Sequence, residues 1–195
     1  LGSSALPLLA DVGDRVQLES LLNTALAEFG HIDIVVNNAA VRPHQPFADM
    51  NYEDWRQILA TNLDSAFVTT KAALSGMLER RWGRVINLSG LQAFQGRLVG
   101  AHISAAKVGL IGLTRELSTE LAPSGILVNC IVPGLIDTVR PGEFHLTQPA
   151  RLSDIPIGRT GRPDDIASLC VFLCSDSAGF ITGQTLHVNG GERVF

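Results

Sequence analysis

Near the middle of this chain a predicted strand is followed by a loop and a predicted helix. Several small polar side chains lie in the loop, and one lysine lies in the first turns of the helix. The strand covers Arg84–Ser89, and the helix covers Ser104–Leu121 and carries Lys107. Open α/β sheets bind ligands beyond the carboxyl ends of their strands, so we expect chemistry in this loop. His102 and, in an earlier loop, His44 are candidate acids or bases because histidine titrates near neutral pH. The simpler interpretation of each is an ordinary surface or hydrogen-bonded histidine.

The elements that must position these residues are strands that alternate with helices. Short apolar runs predict strands over Leu6–Val12, Ile32–Val36, Arg84–Ser89, Ile126–Val132 and Gln184–Val188. Apolar residues at helical spacing predict helices over Asp14–Phe29, Tyr52–Ala60, Thr61–Arg80, Ser104–Leu121 and from Pro163 to about Cys174. This alternation predicts a parallel sheet that is covered by helices on both faces. Leu135–Gly161 has little periodicity and is a candidate lid or substrate loop.

Composition excludes several classes of protein. The 195 residues suit one domain, and 46% hydrophobic with 17% charged residues indicates a soluble globular chain. A net charge of −4 gives no electrostatic reason to bind nucleic acid or an anionic membrane, and no apolar run approaches the length of a transmembrane helix. Three cysteines without a CxxC pair argue against a zinc site or a disulfide framework. We therefore predict one domain over residues 1–195, in the cytoplasm, with no metal, no nucleic-acid partner and no membrane partner.

Several segments along the chain form a series of motifs. In chain order they are Ala10-Asp11-Val12, Asn37-Asn38-Ala39-Ala40, Asn62 within TNLDSAF, Lys107 within SAAK, Pro133 to Thr138 as PGLIDT, and the pair GRPDDIA and ITGQTLHVNGG. In this order and spacing they resemble the short-chain dehydrogenase/reductase family over nearly all of the chain. The resemblance implies a Rossmann-like doubly wound parallel α/β sheet and an NAD- or NADP-dependent oxidoreductase that acts on an alcohol or carbonyl substrate.

The resemblance also implies which residues bind the cofactor. Asp11 and Val12 would contact the adenine. A close approach of the cofactor to the backbone is implied at Asn38, Ala39 and Ala40, where Ala40 replaces a glycine of the family motif. The nicotinamide amide would be held by Pro133, Gly134, Ile136 and Thr138.

Lys107 and Asn62 would take part in catalysis if the resemblance holds. Lys107 would bind the nicotinamide ribose hydroxyls, and its simpler interpretation is a lysine near a helix start with a solvated head. Asn62 would hold a water in the proton relay, and its simpler interpretation is a helix cap, a position that asparagine favours. Arg42, Arg97 and Arg140 lie on loops expected at the same end and could bind an anionic substrate, although scattered solvated arginines are the simpler interpretation.

Two residues that the family uses for chemistry are missing from the expected positions. The tyrosine four residues before Lys107, one helical turn away, is replaced by Ile103, which has no proton to give. The position of the serine that polarises the substrate carbonyl falls on Gly90. Ser89 lies one residue too early, and it would point to the opposite face if the strand continued regularly.

A third departure concerns the start of the fold. The family's glycine-rich first turn, TGxxxGxG, and its flanking strands are not in the sequence, so the amino-terminal β-α-β portion is absent from it. We expect either an upstream segment of about fifty residues or a rearranged sheet in which Leu6–Val12 pairs with Ile32–Val36. The first alternative is favoured because an unpaired strand edge is a liability. The choice between NAD and NADP stays open, since the residues that decide it would lie in the absent portion.

Three functional hypotheses follow. The working hypothesis is an NAD(P)-dependent oxidoreductase with an altered proton donor, which would be His102, a water held by Asn62 and Lys107, or a group of the substrate. The second is a catalytically silent, oligomeric protein on the same fold. The third is a non-redox dehydratase or isomerase that uses His44 or His102. The predicted helices Thr61–Arg80 and Ser104–Leu121 resemble the helices that form subunit interfaces in the family, so we expect a homodimer or homotetramer. The expected substrate is a small molecule.

Overall fold

The computed structural model describes residues 5–96, 99–138 and 152–194. Within these ranges one parallel sheet has the strands β1 Ile34–Asn37, β2 Gly83–Leu88, β3 Ile126–Pro133 and β4 Thr185–Val188, in that order. The α-helices are α1 Arg15–Phe29, α2 Tyr52–Leu59, α3 Ser65–Arg80, α4 Ala101–Leu121 and α5 Pro163–Cys174. The fold is the Rossmann-like α/β architecture that the sequence predicts. No helix in the described part of the chain is long and apolar enough to cross a membrane.

Helices cover both faces of the sheet. On one face Val85 of β2 packs in a cluster with Met77 of α3 and Leu121 of α4. On the other face Ile86 of β2 packs in a cluster with Leu173 of α5. Successive residues of a strand point to opposite faces, and because helices cover both faces all six residues of β2 are buried. The central strands are therefore held in place by apolar contacts on both sides.

A chain of hydrogen bonds crosses the core between α3 and α4. The Thr69 hydroxyl of α3 donates to Asn37 Oδ1 at 2.6 Å, and Asn37 Nδ2 donates to Asn87 Oδ1 at 2.8 Å. Asn87 Nδ2 then donates to the Thr114 hydroxyl of α4 at 2.9 Å. Since buried carboxamides are costly unless both ends are bonded, this network favours a single register of β1 on β2.

Local sequence explains where α1 begins and ends. The Asp14 carboxylate accepts the backbone N–H groups of Val16 and Gln17, which caps the amino terminus of the helix. Gly30 follows the helix with a φ of 75°, in the left-handed region that glycine favours, and its N–H donates to the Leu26 carbonyl. The predicted helix Asp14–Phe29 is thus confirmed with Asp14 as its cap.

The two helices predicted on either side of Ala60 are joined without a loop. Ala60–Asp64 forms a π-helical turn between α2 and α3. Such wide turns are rare and are often found at functional sites. Gly13 lies against this turn, because a Cβ on it would be 2.5 Å from the Thr61 hydroxyl oxygen. The segment before α1 therefore packs directly on the turn that carries Asn62.

The prediction of a strand over Leu6–Val12 is wrong. Residues 5–11 have no strand hydrogen bonds, and Leu9 is fully exposed. An extended segment becomes a strand only where a neighbour can accept its hydrogen bonds, and β1, to which the rearranged sheet would have paired it, is bonded to β2 alone among the described strands. The rearranged sheet is therefore not what the structure contains.

β1 is not covered on both faces, although the sequence predicts a sheet with helices on both faces. Val35 is buried against the face that carries α3, but Ile34 is 43% exposed and Val36 is 46% exposed. The reason is the position of β1 at the edge of the described sheet, since α5 packs over β2 and β3. A continuous apolar run predicts a strand, but it does not reveal whether both faces are covered.

The core network allows a test of the fold. Asn87→Leu would leave Asn37 Nδ2 and the Thr114 hydroxyl without their partner, so we expect the free energy of unfolding to fall by about 1–3 kcal/mol. Urea denaturation measures this loss. The same change at Asn23, which is exposed on α1, is the matched control and should alter stability by no more than about 0.5 kcal/mol. Equal effects of the two variants would contradict the role of the network.

Candidate functional site

An open cleft of about 980 Å³ lies at the carboxyl edge of the sheet. Asn38 follows β1, Gly90 follows β2 by two residues, and Gly134 follows β3. Lys107 reaches the cleft from the second turn of α4. Parallel strands all end at one edge of the sheet, so residues that are distant in sequence meet here.

Most of the residues predicted for the nicotinamide side of a cofactor meet in this cleft. Those that line it are Asn38, Ala40, Lys107, Pro133, Gly134, Ile136 and Thr138. Asp11, Val12 and Ala39 are not among the lining residues. The Asp11 carboxylate instead accepts the Gly13 N–H at 2.8 Å, within the turn that precedes α1. The binding roles of all ten residues stay predictions.

Lys107 is a buried cation without an ion-pair partner among the described residues. It is 6% exposed, and its ammonium donates to the Leu88 carbonyl with an Nζ–O distance of 2.6 Å. Burial lowers the pKa of Lys107 to about 8, because desolvation disfavours the charged form, and the nearby Arg42 guanidinium lowers it further. The group is therefore mostly protonated at pH 7 and titrates within reach of physiological pH.

Ser89 and Gly90, which follow β2, both line the cleft. The Ser89 hydroxyl donates to the Lys107 carbonyl at 2.9 Å, so its hydrogen is used within the protein. Gly90 is buried and extended, with φ −179° and ψ 164°. The expectation that Ser89 is a poor substitute for a serine at position 90 stays a prediction.

Asn62 holds the loop that follows β1. It is 3% exposed, its Oδ1 accepts the Val41 N–H at 2.9 Å, and its Nδ2 donates to the Val41 carbonyl at 2.9 Å. The interpretation of Asn62 as a helix cap is wrong, because its side chain bonds a distant loop residue instead of the first turn of its own helix. The proton-relay role stays a prediction, and Asn62 is not among the residues that line the cleft.

The expectation that His102 lies near the mouth of the site is wrong. His102 is fully buried and does not line the cleft. Its Nδ1 accepts the Ile103 N–H at 2.9 Å, and its Nε2 has no hydrogen-bond partner among the described residues. Burial lowers the pKa of His102, and the Gly100 backbone and the Asp54 carboxylate oppose this shift only in part. The imidazole is therefore neutral near pH 7, and its placement does not support direct proton transfer to a ligand in the cleft.

Two of the other predicted polar residues lie in the cleft, and two lie outside the described residues. His44 and Arg42 line the cleft. Arg97 and Arg140 lie outside the described residues, as does the middle of the predicted lid, 139–151. Ile103, at which the motif resemblance predicts the position of a tyrosine, is 3% exposed and is not a lining residue.

Sequence reasoning missed one polar wall of the cleft. Gln92, Gln95, Glu192 and Arg193 line it. Arg193 Nε donates to Gln95 Oε1 at 3.1 Å, and Glu192 accepts the Leu135 N–H at 3.2 Å. The only available signal was position, since the two glutamines follow β2 and the charged pair follows β4 at the same edge of the sheet.

Nearly the whole chain is similar to known proteins. A family model described as enoyl-(acyl carrier protein) reductase matches residues 1–192. The 3-oxoacyl-[acyl-carrier-protein] reductases of Salmonella typhimurium and Escherichia coli K12 are each 41% identical over 192 residues, which is 98% of this chain and 79% of theirs. The crystal structure of a protein assigned as a short-chain alcohol dehydrogenase, from Sinorhizobium meliloti 1021, has a TM-score of 0.88 and 37% identity, and the match covers 95% of this chain and 75% of that one.

The chain belongs to the short-chain dehydrogenase/reductase family. The resemblance inferred from its motifs is thereby confirmed, and so is its membership of a family of oxidoreductases. In this short-chain dehydrogenase/reductase the cleft is lined by Lys107 but not by Ile103, and its β2 end carries Gly90.

The buried ammonium makes stability depend on pH. At pH 7 the folded and unfolded chains both carry the charge on Lys107, so the full cost of burying it is present. Between about pH 8 and the ordinary value of 10.5 the folded chain loses this proton while the unfolded chain keeps it, so the free energy of unfolding rises with pH. Between pH 7 and pH 10 we expect the free energy of unfolding of the wild-type chain to rise, relative to that of Lys107→Met, by on the order of 2–3 kcal/mol.

Urea denaturation of the two proteins at several pH values measures this difference. The only other lysine, Lys71, is exposed on α3, and Lys71→Met serves as the control that should follow the wild-type pH dependence. Parallel pH curves for the wild type and Lys107→Met would contradict the lowered pKa.

Proposed function

We propose that this protein is an NAD(P)H-dependent reductase that converts a carbonyl group to an alcohol and takes the proton from Lys107 or from a water that Lys107 holds. The observation that carries the proposal is the position of Lys107, a buried ammonium in the same cleft as Asn38, Gly134 and Thr138. Relatives that are 41% identical are named 3-oxoacyl-[acyl-carrier-protein] reductases, so a 3-oxoacyl thioester is the first substrate class to test.

The cleft fits the nicotinamide side of such a cofactor. Its volume of about 980 Å³ is at the upper end of small-molecule sites. Gly134 lets the β3 end pack closely on the β4 end, because a Cβ on it would lie 2.7 Å from Asn189 Cα. Asn38, Lys107 and Thr138 are the polar residues that would hold the nicotinamide riboside. When bound, the nicotinamide supplies a hydride to the substrate carbon.

Lys107 is suited to supply the proton. As the carbonyl carbon gains the hydride, the carbonyl π electrons move to the oxygen, which needs a proton to become the alcohol. The Lys107 ammonium can give this proton, directly or through one water, and the resulting amine then recovers a proton from solvent. A pKa of about 8 places the acid close to the working pH, where general acid catalysis is most effective.

The other predicted donor groups are less well placed for this reaction. His102 is buried outside the cleft, and Ile103 carries no proton. Asn62 acts on the site through the backbone of Val41, which it bonds on both sides, and so positions the loop that carries Ala40.

The first test is binding. Calorimetric titration with NADH and with NADPH should show saturable binding of at least one of them, and reduction of a 3-oxoacyl thioester should follow as loss of absorbance of the reduced nicotinamide. Absence of binding by both nucleotides would overturn the proposal and would favour a catalytically silent protein on the same fold.

The second test is the pH dependence of the reduction rate. The protonated lysine is the active form, so the rate of the wild-type protein should fall as pH rises through about 8. Lys107→Met should lower the rate by roughly 10²–10⁴-fold. Lys107→Arg keeps the positive charge but does not deprotonate in this range, so the fall near pH 8 should disappear from whatever rate remains. A wild-type rate that is flat through pH 8 would exclude Lys107 as the acid.

A further inference from the structure

We propose that the carboxamide of Gln92 polarises the substrate carbonyl and stabilises the negative charge that develops on its oxygen. The inference rests on the proposed reductase function and adds a second residue to its machinery. It starts from the position of Gly90. A Cβ built on Gly90 would lie 3.1 Å from Gln92 Oε1, so the Gln92 carboxamide occupies the space that a side chain at position 90 would enter.

The backbone around Gln92 is well held. Leu91–Ala93 is a short 3₁₀ turn in which the Ala93 N–H donates to the Gly90 carbonyl at 3.0 Å. The next residue, Phe94, packs its ring edge-to-face on His187 of β4, with ring centroids 4.6 Å apart. These contacts fix the Cα of Gln92 beside the end of β2, so only the side-chain torsions remain to be set by a ligand.

The carboxamide of Gln92 is available for a ligand. The residue is half-buried and lines the cleft, and its side chain has no hydrogen bond to any described residue. The hydroxyl of Ser89, the residue before Gly90, already donates to the Lys107 carbonyl. Gln95, the other glutamine on this wall, is bonded to Arg193. Gln92 is therefore the polar side chain beside Gly90 whose donors are not used within the described structure.

The chemistry needs a donor that does not lose its proton. During reduction a C–H bond forms at the carbonyl carbon, the π bond breaks towards oxygen, and the alkoxide takes its proton from the Lys107 side. A carboxamide N–H can donate to this oxygen before and during the step and is unchanged afterwards. A single donor of this kind is worth about 10²–10³ in kcat when it is aimed at the developing charge.

The position of Gly90 allows a rescue experiment. The backbone at residue 90 is extended, a conformation open to any residue. Among the described residues that are not adjacent in the chain, the only atom within 4 Å of a new Cβ is Gln92 Oε1, the end of a flexible side chain. Gly90→Ser should therefore place a hydroxyl where the Gln92 carboxamide now lies. In Gln92→Ala, which removes that carboxamide, the added serine has an unobstructed site.

We expect Gln92→Ala to lower kcat by about 10²–10³-fold, with nucleotide affinity by calorimetry unchanged. The kcat of the double variant Gly90→Ser with Gln92→Ala should be at least tenfold higher than that of Gln92→Ala. Gln57→Ala, at an exposed position on α2, is the control for loss of a glutamine and should keep the wild-type rate. A Gln92→Ala variant that folds, binds nucleotide and keeps the wild-type kcat would overturn the inference while leaving the proposed function intact.

An infrared measurement tests Gln92 without turnover. The probe is acetoacetyl-coenzyme A labelled with ¹³C at the ketone carbon, bound in the presence of the oxidised nucleotide. A polarised ketone absorbs at lower wavenumber than an unpolarised one. The wavenumber of the labelled band should therefore be lower in the wild-type protein than in Gln92→Ala. In the double variant the band should return towards its wild-type position. Identical bands in all three proteins would overturn the inference. If the wild type fails to reduce the thioester, the proposed function falls, and the band position still decides for or against Gln92.

Discussion

Two reciprocal hydrogen bonds between β2 and α4 hold the cleft in its shape. The Lys107 ammonium donates to the Leu88 carbonyl, and the Ser89 hydroxyl donates to the Lys107 carbonyl. Both groups are buried, so loss of either bond would leave a polar atom without a partner at a cost of about 1–3 kcal/mol. Together they tie the end of the strand to the second turn of the helix. The path of the loop between them, which begins at Gly90, depends on this connection.

The same connection limits which polar side chains near Ile103 and Gly90 can face a ligand in the cleft. The Ser89 hydroxyl is used to hold α4, and His102 is turned into the protein at the start of that helix. Two of the side chains that line the cleft are Lys107, whose pKa is lowered by burial, and Gln92, whose carboxamide lies beside Gly90. A lysine that holds the site together can thus also take part in its chemistry.

Asparagines support this arrangement from the β1 side. Asn62, in the π-helical turn, bonds both backbone groups of Val41, because one carboxamide matches the N–H and the carbonyl of one residue. Asn87 joins β1 through Asn37 to α4 through Thr114. Among these side chains, Asn62 is the one that the sequence analysis predicts for catalysis, and that role stays a prediction. In the structure they position the loops and strands that carry the site.

The sequence by itself determined the architecture and the family, because the order of strands and helices and the order of motifs are properties of the chain. It also predicted that Asn38, Lys107, Gly134 and Thr138 meet at one edge of the sheet, and all four line the cleft there, although their binding roles stay predictions. It was wrong for Leu6–Val12, because a strand exists only where a neighbour bonds it. Only the tertiary structure decided that His102 is buried and that Gln92 fills the space beside Gly90. Which way a side chain faces depends on how the elements pack against one another, and sequence spacing does not contain that information.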